Sequence, residues 1–212
     1  LLTHAVDPLA HPALHMVELH QRLLQKMGIP SPFLEPHLTV PKDTGRGLLR
    51  FGIHPGGYYA SQRWLPERFA ELTERLRAAY ECTCVIIGGP RDETIVAQIA
   101  ERAKGVEVLF PSLISLPEVI AACGIFIGNN SGPLHLAVAL DVPTVSTMGP
   151  TDPVRWWPRG NKAVVVRSKL GCMPCQRGIC CRHECMESIS VEEMFQAVAA
   201  TVERIYGIRA RW

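Results

Sequence analysis

The sequence predicts an α/β protein, a parallel sheet with helices on both of its faces. Three observations carry this expectation. From position 48 onward, short apolar runs alternate with stretches whose apolar residues recur at helical spacing. The runs are apolar at successive positions, as in Val85-Ile86-Ile87 and Ile125-Phe126-Ile127, so their strands need cover on two sides. Glycine-bearing loops follow several of the runs, where ligands sit in sheets of this kind.

In chain order, residues 1–13 have no period and read as a loop. Leu14, Val17, Leu19, Leu23, Leu24 and Met27 follow helical spacing, and Gly28 and Pro30 stop that helix. Prolines then punctuate a connector running to Gly45. Residues 1–44 are therefore expected to be the end of a preceding domain with its linker, and 45–212 the main domain. Leu48–Ile53 is the first expected strand, and Pro66 opens a helix to Tyr80 with Phe69, Leu72, Leu76 and Ala79 inward. After a strand at Thr83–Ile87, Asp92 is expected to cap a helix carrying Ile95, Val96, Ile99 and Ala103. Val106–Phe110 is the third strand. Ser115-Leu116-Pro117-Glu118 has capping-box spacing and should open a short helix to Cys123. Strands at Ile125–Ile127, Pro143–Met148 and Ala163–Val166 follow. A second capping box at Ser190 to Glu193 opens a last helix with Met194, Phe195, Val198, Val202 and Ile205 on one stripe.

The stretch Gly128-Asn129-Asn130-Ser131-Gly132-Pro133-Leu134-His135 holds the most chemistry. It is a strand, a polar turn and a helix start, with Asn130 or Ser131 as the cap and Pro133 in the first turn. Such a helix end attracts anions through its unpaired N–H groups and its dipole, and a diphosphate is the expected occupant. His135 lies one turn past Ser131, and its imidazole should lean back toward the same mouth. Gly56, Gly57, Gly88, Gly89 and Gly149 stand in loops at the same sheet edge. Arg63 can reach a phosphate, and Asp92 or Glu93 can accept bonds from sugar hydroxyls.

Several classes are excluded or unsupported. With 47% hydrophobic residues the 212-residue chain can bury a core, while a net charge of +2 implies no nucleic-acid partner. No apolar run approaches the ~20 residues of a membrane span. The first residues lack a signal peptide and an initiator Met, so a cytoplasmic chain, and a piece of a longer one, is expected. There is no G-x-G-x-x-G after the first strand, no G-x-x-x-x-G-K-[ST] and no G-x-S-x-G. Of eight cysteines, Cys82, Cys84 and Cys123 sit in apolar runs. Cys172, Cys175, Cys180, Cys181 and Cys185 cluster around His183. Reduced thiols are the first reading of that cluster and a structural zinc the alternative.

His54-Pro55-Gly56, Arg63-Trp64-Leu65-Pro66-Glu67, Gly88-Gly89-Pro90, Ser115-Leu116-Pro117-Glu118, Gly128 to Ala137, Gly149-Pro150-Thr151-Asp152-Pro153 and the cysteine loop occur in this order over residues 48–206. Together they resemble glycosyltransferase family 9, the ADP-heptose:lipopolysaccharide heptosyltransferases. The resemblance implies two Rossmann-like domains facing across a cleft, the GT-B architecture, with this chain as the C-terminal, donor-binding half. It also implies that Asn130, Ser131, Gly132 and His135 meet the donor's diphosphate and sugar. Gly56 and Gly57 with Gln62 or Arg63 would line the opposite side, Asp92 or Glu93 the ribose or sugar, and Ile114 the adenine.

The resemblance further implies an inverting transfer to a lipid-linked oligosaccharide acceptor, with no cofactor beyond the ADP-sugar donor and no catalytic metal. Two departures stand out. Asn130 and Gln62 occupy positions where the family often has Asp and Lys. The family's general base belongs to the N-terminal domain, so no catalytic base is assigned to this chain. The competing class is a nucleotide-binding or zinc-stabilised interaction module without turnover. Trp156-Trp157 could guard the pocket, and Arg209-Ala210-Arg211-Trp212 gives at most a peripheral membrane contact.

Overall fold

The computed structural model describes residues 4–7, 10–31, 35–41 and 49–211. The expected domain boundary at 44/45, the strand start at Leu48 and Trp212 of the basic tail lie outside them. Six parallel strands form one sheet: β1 (Leu49–His54), β2 (Cys82–Ile87), β3 (Glu107–Leu109), β4 (Ile125–Asn129), β5 (Thr144–Met148) and β6 (Ala163–Arg167). The helices are α1 (Met16–Lys26), α2 (Pro66–Ala79), α3 (Glu93–Arg102), α4 (Leu116–Ala121), α5 (Gly132–Ala139), α6 (Pro153–Trp156), α7 (Glu184–Glu187) and α8 (Val191–Tyr206).

The strand order is β3-β2-β1-β4-β5-β6. The chain therefore reverses direction between β1 and β4, whose neighbouring ends diverge into different loops. That gap is where doubly wound sheets open a ligand crevice.

Alternate side chains of each strand feed two cores, as uniformly apolar strands require. Phe51, Ile53, Ile86, Ile125 and Ile127 pack on one face with Phe69, Leu72 and Leu76 of α2 and Met194, Val198 and Val202 of α8. Val85, Ile87 and Phe126 pack on the other with Ile120, Leu134 and Leu140. Helix α8 starts with the expected capping box: Ser190 Oγ accepts from Glu193 N at 3.1 Å while Ser190 N donates to Glu193 Oε2 at 2.9 Å.

Two other expected caps differ. Ser115 lies in the helical region (φ −86°, ψ −14°), and its hydroxyl bonds to Ser112, so no capping box forms at α4, which ends at Ala121 rather than at Cys123. Asp92 turns its carboxylate backward, where Oδ2 accepts from Gly89 N at 2.9 Å, and makes no cap bond to α3. Its acceptor oxygens are held at the loop that leaves β2 rather than at the helix that follows.

Helix α1 is clasped to the segment that follows α6. His15 caps it by accepting from Val17 N at Nδ1, which leaves Nε2–H to donate to Trp157 O at 2.9 Å. Glu18 pairs with Arg159 at 2.9 Å. Among the described residues no helix is long and apolar enough to cross a membrane.

Candidate functional site

The crevice at the reversal point is built from one node, Asn129 at the end of β4. Its side chain is fully buried and makes four hydrogen bonds. Oδ1 accepts from Trp64 N and from Thr147 Oγ1, both at 2.9 Å. Nδ2 donates to Pro55 O at 2.8 Å and to Gly56 O at 3.0 Å. One amide thus ties the loop after β1 to the end of β4 and to β5. Trp64 is fixed in turn, its Nε1 donating to Ile189 O at 2.9 Å.

His54, the last residue of β1, is buried beside this loop and donates from Nδ1 to Ile87 O at 2.8 Å. Burial lowers its pKa, so the ring is neutral with the lone pair on Nε2. Gly56 carries no Cβ because one would run into Asp92 and His54. Arg63 donates from Nε and Nη2 to Gly57 O at 2.9 and 2.8 Å, and its Nη2 lies 4.0 Å from Asp92 Oδ1.

Two lobes meet over the N-terminus of α5. The larger, about 480 Å³, runs between the loops after β1, β2 and β3 and the start of α5. Gly57, Arg63, Asp92, Ser131 and Gly132 line it, with His54, Gly89 and an apolar wall of Pro111, Leu113 and Leu116. The smaller, about 290 Å³, is lined by Gln62, Asn130, Ser131, Gly132 and His135 with Tyr58, Tyr59, Thr151 and Trp156. Tyr58, Ser131 and Gly132 belong to both.

At their junction Leu134 N and His135 N fold back onto Ser131 O, and Pro133 has no N–H. The Gly132 amide is the free first-turn donor that every helix start leaves. A Cβ on Gly132 would meet nothing within 4 Å, so the space beside its Cα is open, and the residue lines both lobes. Ser131 Oγ, the expected cap, makes no cap bond and has no hydrogen-bond partner although that atom is buried. Asn130 uses Nδ2 to hold Trp156 O at 3.0 Å, and Gln62 donates to Thr151 Oγ1 at 3.3 Å. His135 is half-buried 6.4 Å from the Trp156 ring centre, and burial, aided by His15, pushes its pKa down to about 4. At neutral pH it is an uncharged imidazole.

Of the residues singled out from the sequence, Gly57, Gln62, Arg63, Asp92, Asn130, Ser131, Gly132 and His135 come together in the two lobes, with Gly56 packed behind them. Glu93 starts α3 facing solvent and Ile114 is 90% exposed; neither lines a lobe, while the neighbouring Leu113 lines the larger one. Trp156 does wall the smaller lobe, whereas Trp157 does not line it and its carbonyl accepts from His15, the cap of α1. Sequence reasoning missed His54, Tyr58, Tyr59 and the role of Asn129. Their position just past strand ends was the available signal.

The zinc alternative finds no support. Among the described residues no group of three His, Cys, Asp or Glu is placed to hold a metal ion. Cys185 is buried against the core, while Cys172 and Cys181 face solvent, and all eight cysteines are free. Burial, with the thiols of Cys175, Cys172 and Cys180 nearby, pushes the Cys185 thiol pKa up.

With this geometry in place, the comparison with known proteins decides the family. The profile of glycosyltransferase family 9 (heptosyltransferase) matches residues 3–186. The chain belongs to glycosyltransferase family 9. It is 30% identical over 156 residues to lipooligosaccharide heptosyltransferase 2 of Campylobacter jejuni subsp. jejuni serotype O:2, covering 68% of this chain and 48% of that protein. To lipopolysaccharide heptosyltransferase 1 of Pseudomonas aeruginosa it is 28% identical over 174 residues, covering 78% and 48%. This family 9 chain thus spans about half the length of the curated relatives it matches. The solved ADP-heptose LPS heptosyltransferase II of E. coli superposes with a TM-score of 0.76 at 23% identity, over 95% of this chain and 65% of that one. The fold is therefore the Rossmann-like α/β fold found in these enzymes.

Proposed function

We propose that this chain is the donor-binding half of an inverting glycosyltransferase that moves a heptose from ADP-heptose to an inner-core lipopolysaccharide acceptor. Family membership supports the reaction class, and the names of the relatives support the sugar. The observation that carries the site assignment is the junction of two lobes above the open Gly132 amide.

In this reading the larger lobe takes the adenosine, its base against Pro111, Leu113 and Leu116 and its ribose facing Asp92. The diphosphate spans the junction, where the helix dipole, the Gly132 N–H, Ser131 Oγ and Arg63 supply partners for its oxygens. The smaller lobe takes the sugar, among Gln62, Asn130, His135, Thr151 and Trp156.

As the bond between the anomeric carbon and the diphosphate oxygen breaks, negative charge grows on the leaving ADP. Fixed donors around the diphosphate stabilise it without reorganising. His135 begins neutral, and the nearby dianion raises its pKa toward the charged form. The acceptor hydroxyl attacks from the opposite face, losing its proton to a carboxylate of the preceding domain. Residues 1–44 are read as the end of that domain and its linker, and 45–212 as the donor domain. The site of action is the cytoplasmic face of the inner membrane.

Calorimetric titration with ADP, ADP-heptose, UDP and GDP tests this. ADP and ADP-heptose should bind and raise the melting temperature, as any ligand of the folded state does. Equal or absent binding of all four would overturn the assignment.

A further inference from the structure

We propose that the cysteine-rich loop, residues 170–183, is a positioning element for the donor's sugar, acting through Gly178 and Ser61 on the Tyr58-Tyr59 pair. The inference rests on the donor-site reading above and extends it to residues that touch no ligand.

The loop is pinned at two places besides its ends. Gln176 N donates to Pro150 O at 2.9 Å, which fixes one side to the segment leaving β5. On the other side, Ser61 is 2% exposed in the 3₁₀ turn Ala60–Gln62. Its Oγ donates to Arg177 O at 2.5 Å and its N donates to Gly178 O at 3.4 Å. Two bonds from one buried serine thus join the cysteine loop to the segment between Gly57 and Trp64. Gly178 closes the contact: a Cβ there would lie 2.5 Å from Tyr59 Cδ1 and 2.8 Å from its Cε1. The tyrosine ring rests against bare backbone, a contact available only to glycine.

The position of Tyr59 matters because of what it braces. Its ring meets Tyr58 edge-on, with centroids 4.7 Å apart at 90°. Tyr58 in turn carries the Arg91 guanidinium 5.1 Å from its ring centre. Tyr59 lines only the smaller lobe, whereas Tyr58 separates that lobe from the larger one. Trp156 lines the same smaller lobe as this pair. Aromatic rings lining one lobe suit the apolar C–H face of a pyranose ring, so the pair decides how well the lobe grips a sugar.

Gly178→Ala tests the chain of contacts. The new methyl displaces an exposed side chain rather than backbone, so the fold should hold. We expect ADP affinity to stay within about twofold and ADP-heptose affinity to fall about three- to tenfold, the size of one aromatic contact. Ser61→Ala should move the same ratio in the same direction. Cys181→Ser, on the exposed part of the loop, is the control. Equal weakening of both ligands, or none in a folded Gly178→Ala variant, would overturn the inference. Absence of ADP binding in the unmodified chain would instead remove the donor-site reading beneath it.

Discussion

Replacing Asn129 by Ala should damage both the fold and the crevice, by an amount that the structure lets one work out. The side chain is fully buried and makes four hydrogen bonds, to Trp64 N, Thr147 Oγ1, Pro55 O and Gly56 O. At about 1 kcal/mol net per bond, with four polar partners left unpaired away from water, the loss is about 4 kcal/mol. A domain of this size loses about 2–4 °C of melting temperature per kcal/mol, so Asn129→Ala should melt about 8–16 °C lower. Thr147→Val removes one of the four bonds and should cost about 1 kcal/mol.

Asn129→Asp is the sharper probe. The two bonds accepted by Oδ1 survive, but an oxygen now faces the Pro55 and Gly56 carbonyls in place of the donating Nδ2. The folded state then favours the protonated acid, which raises the folded pKa above the unfolded value of about 3.9. The folded form binds more protons over that window, so stability should fall as pH rises through it. Thermal unfolding by circular dichroism, with ADP affinity measured in parallel, checks both effects. An Asn129→Ala protein melting within about 2 °C of the original, with unchanged ADP affinity, would refute the view of Asn129 as the node of the site.

Three further outcomes follow from the same geometry. Gly132→Val should leave the melting temperature unchanged, because a Cβ there meets nothing, yet weaken ADP binding at least about tenfold by filling the mouth of α5; calorimetry reads it. Arg63→Gln should weaken ADP and also flatten the salt dependence of ADP binding, since one cation near the diphosphate is lost; titrations at two salt concentrations decide. His135, with a folded pKa of about 4 against about 6.5 unfolded, contributes stability above pH ~6.5 that is lost as pH falls toward 4. His54 acts in the same direction, so His135→Gln should reduce, not abolish, the slope of melting temperature between those limits.

The sheet was legible because its evidence is local. Val85-Ile86-Ile87 and Ile125-Phe126-Ile127 announce buried strands, and in the Ser190–Glu193 box the Ser190 hydroxyl bonds within the box itself, to Glu193. At α4 one does: Ser112 takes the Ser115 hydroxyl, and the same spacing fails to cap. The crevice proposed as the site was legible where strand-end loops build it, at Gly132 and at the loops after β1 and β2. It was not legible where tertiary partners decide. The bonds of Asn129 reach 74 residues along the chain, and no spacing rule connects it to Pro55. Leu113 and Ile114 are adjacent apolar residues in a loop without period, 84% and 90% exposed, so only the path of the backbone tells which one faces the cavity. The cysteine spacing left a metal open as the alternative to reduced thiols, and spacing alone could not say that no three of these side chains are arranged to hold one among the described residues.

The clasp between α1 and the loop after α6 joins positions 142 residues apart in sequence. Trp157, which receives the His15 bond, is the immediate neighbour of Trp156. A rotation of whatever precedes Met16 would therefore tug on the wall of the smaller lobe through a single peptide unit. Movement of α1 and the shape of that lobe would be mechanically linked, with His15 as the linchpin.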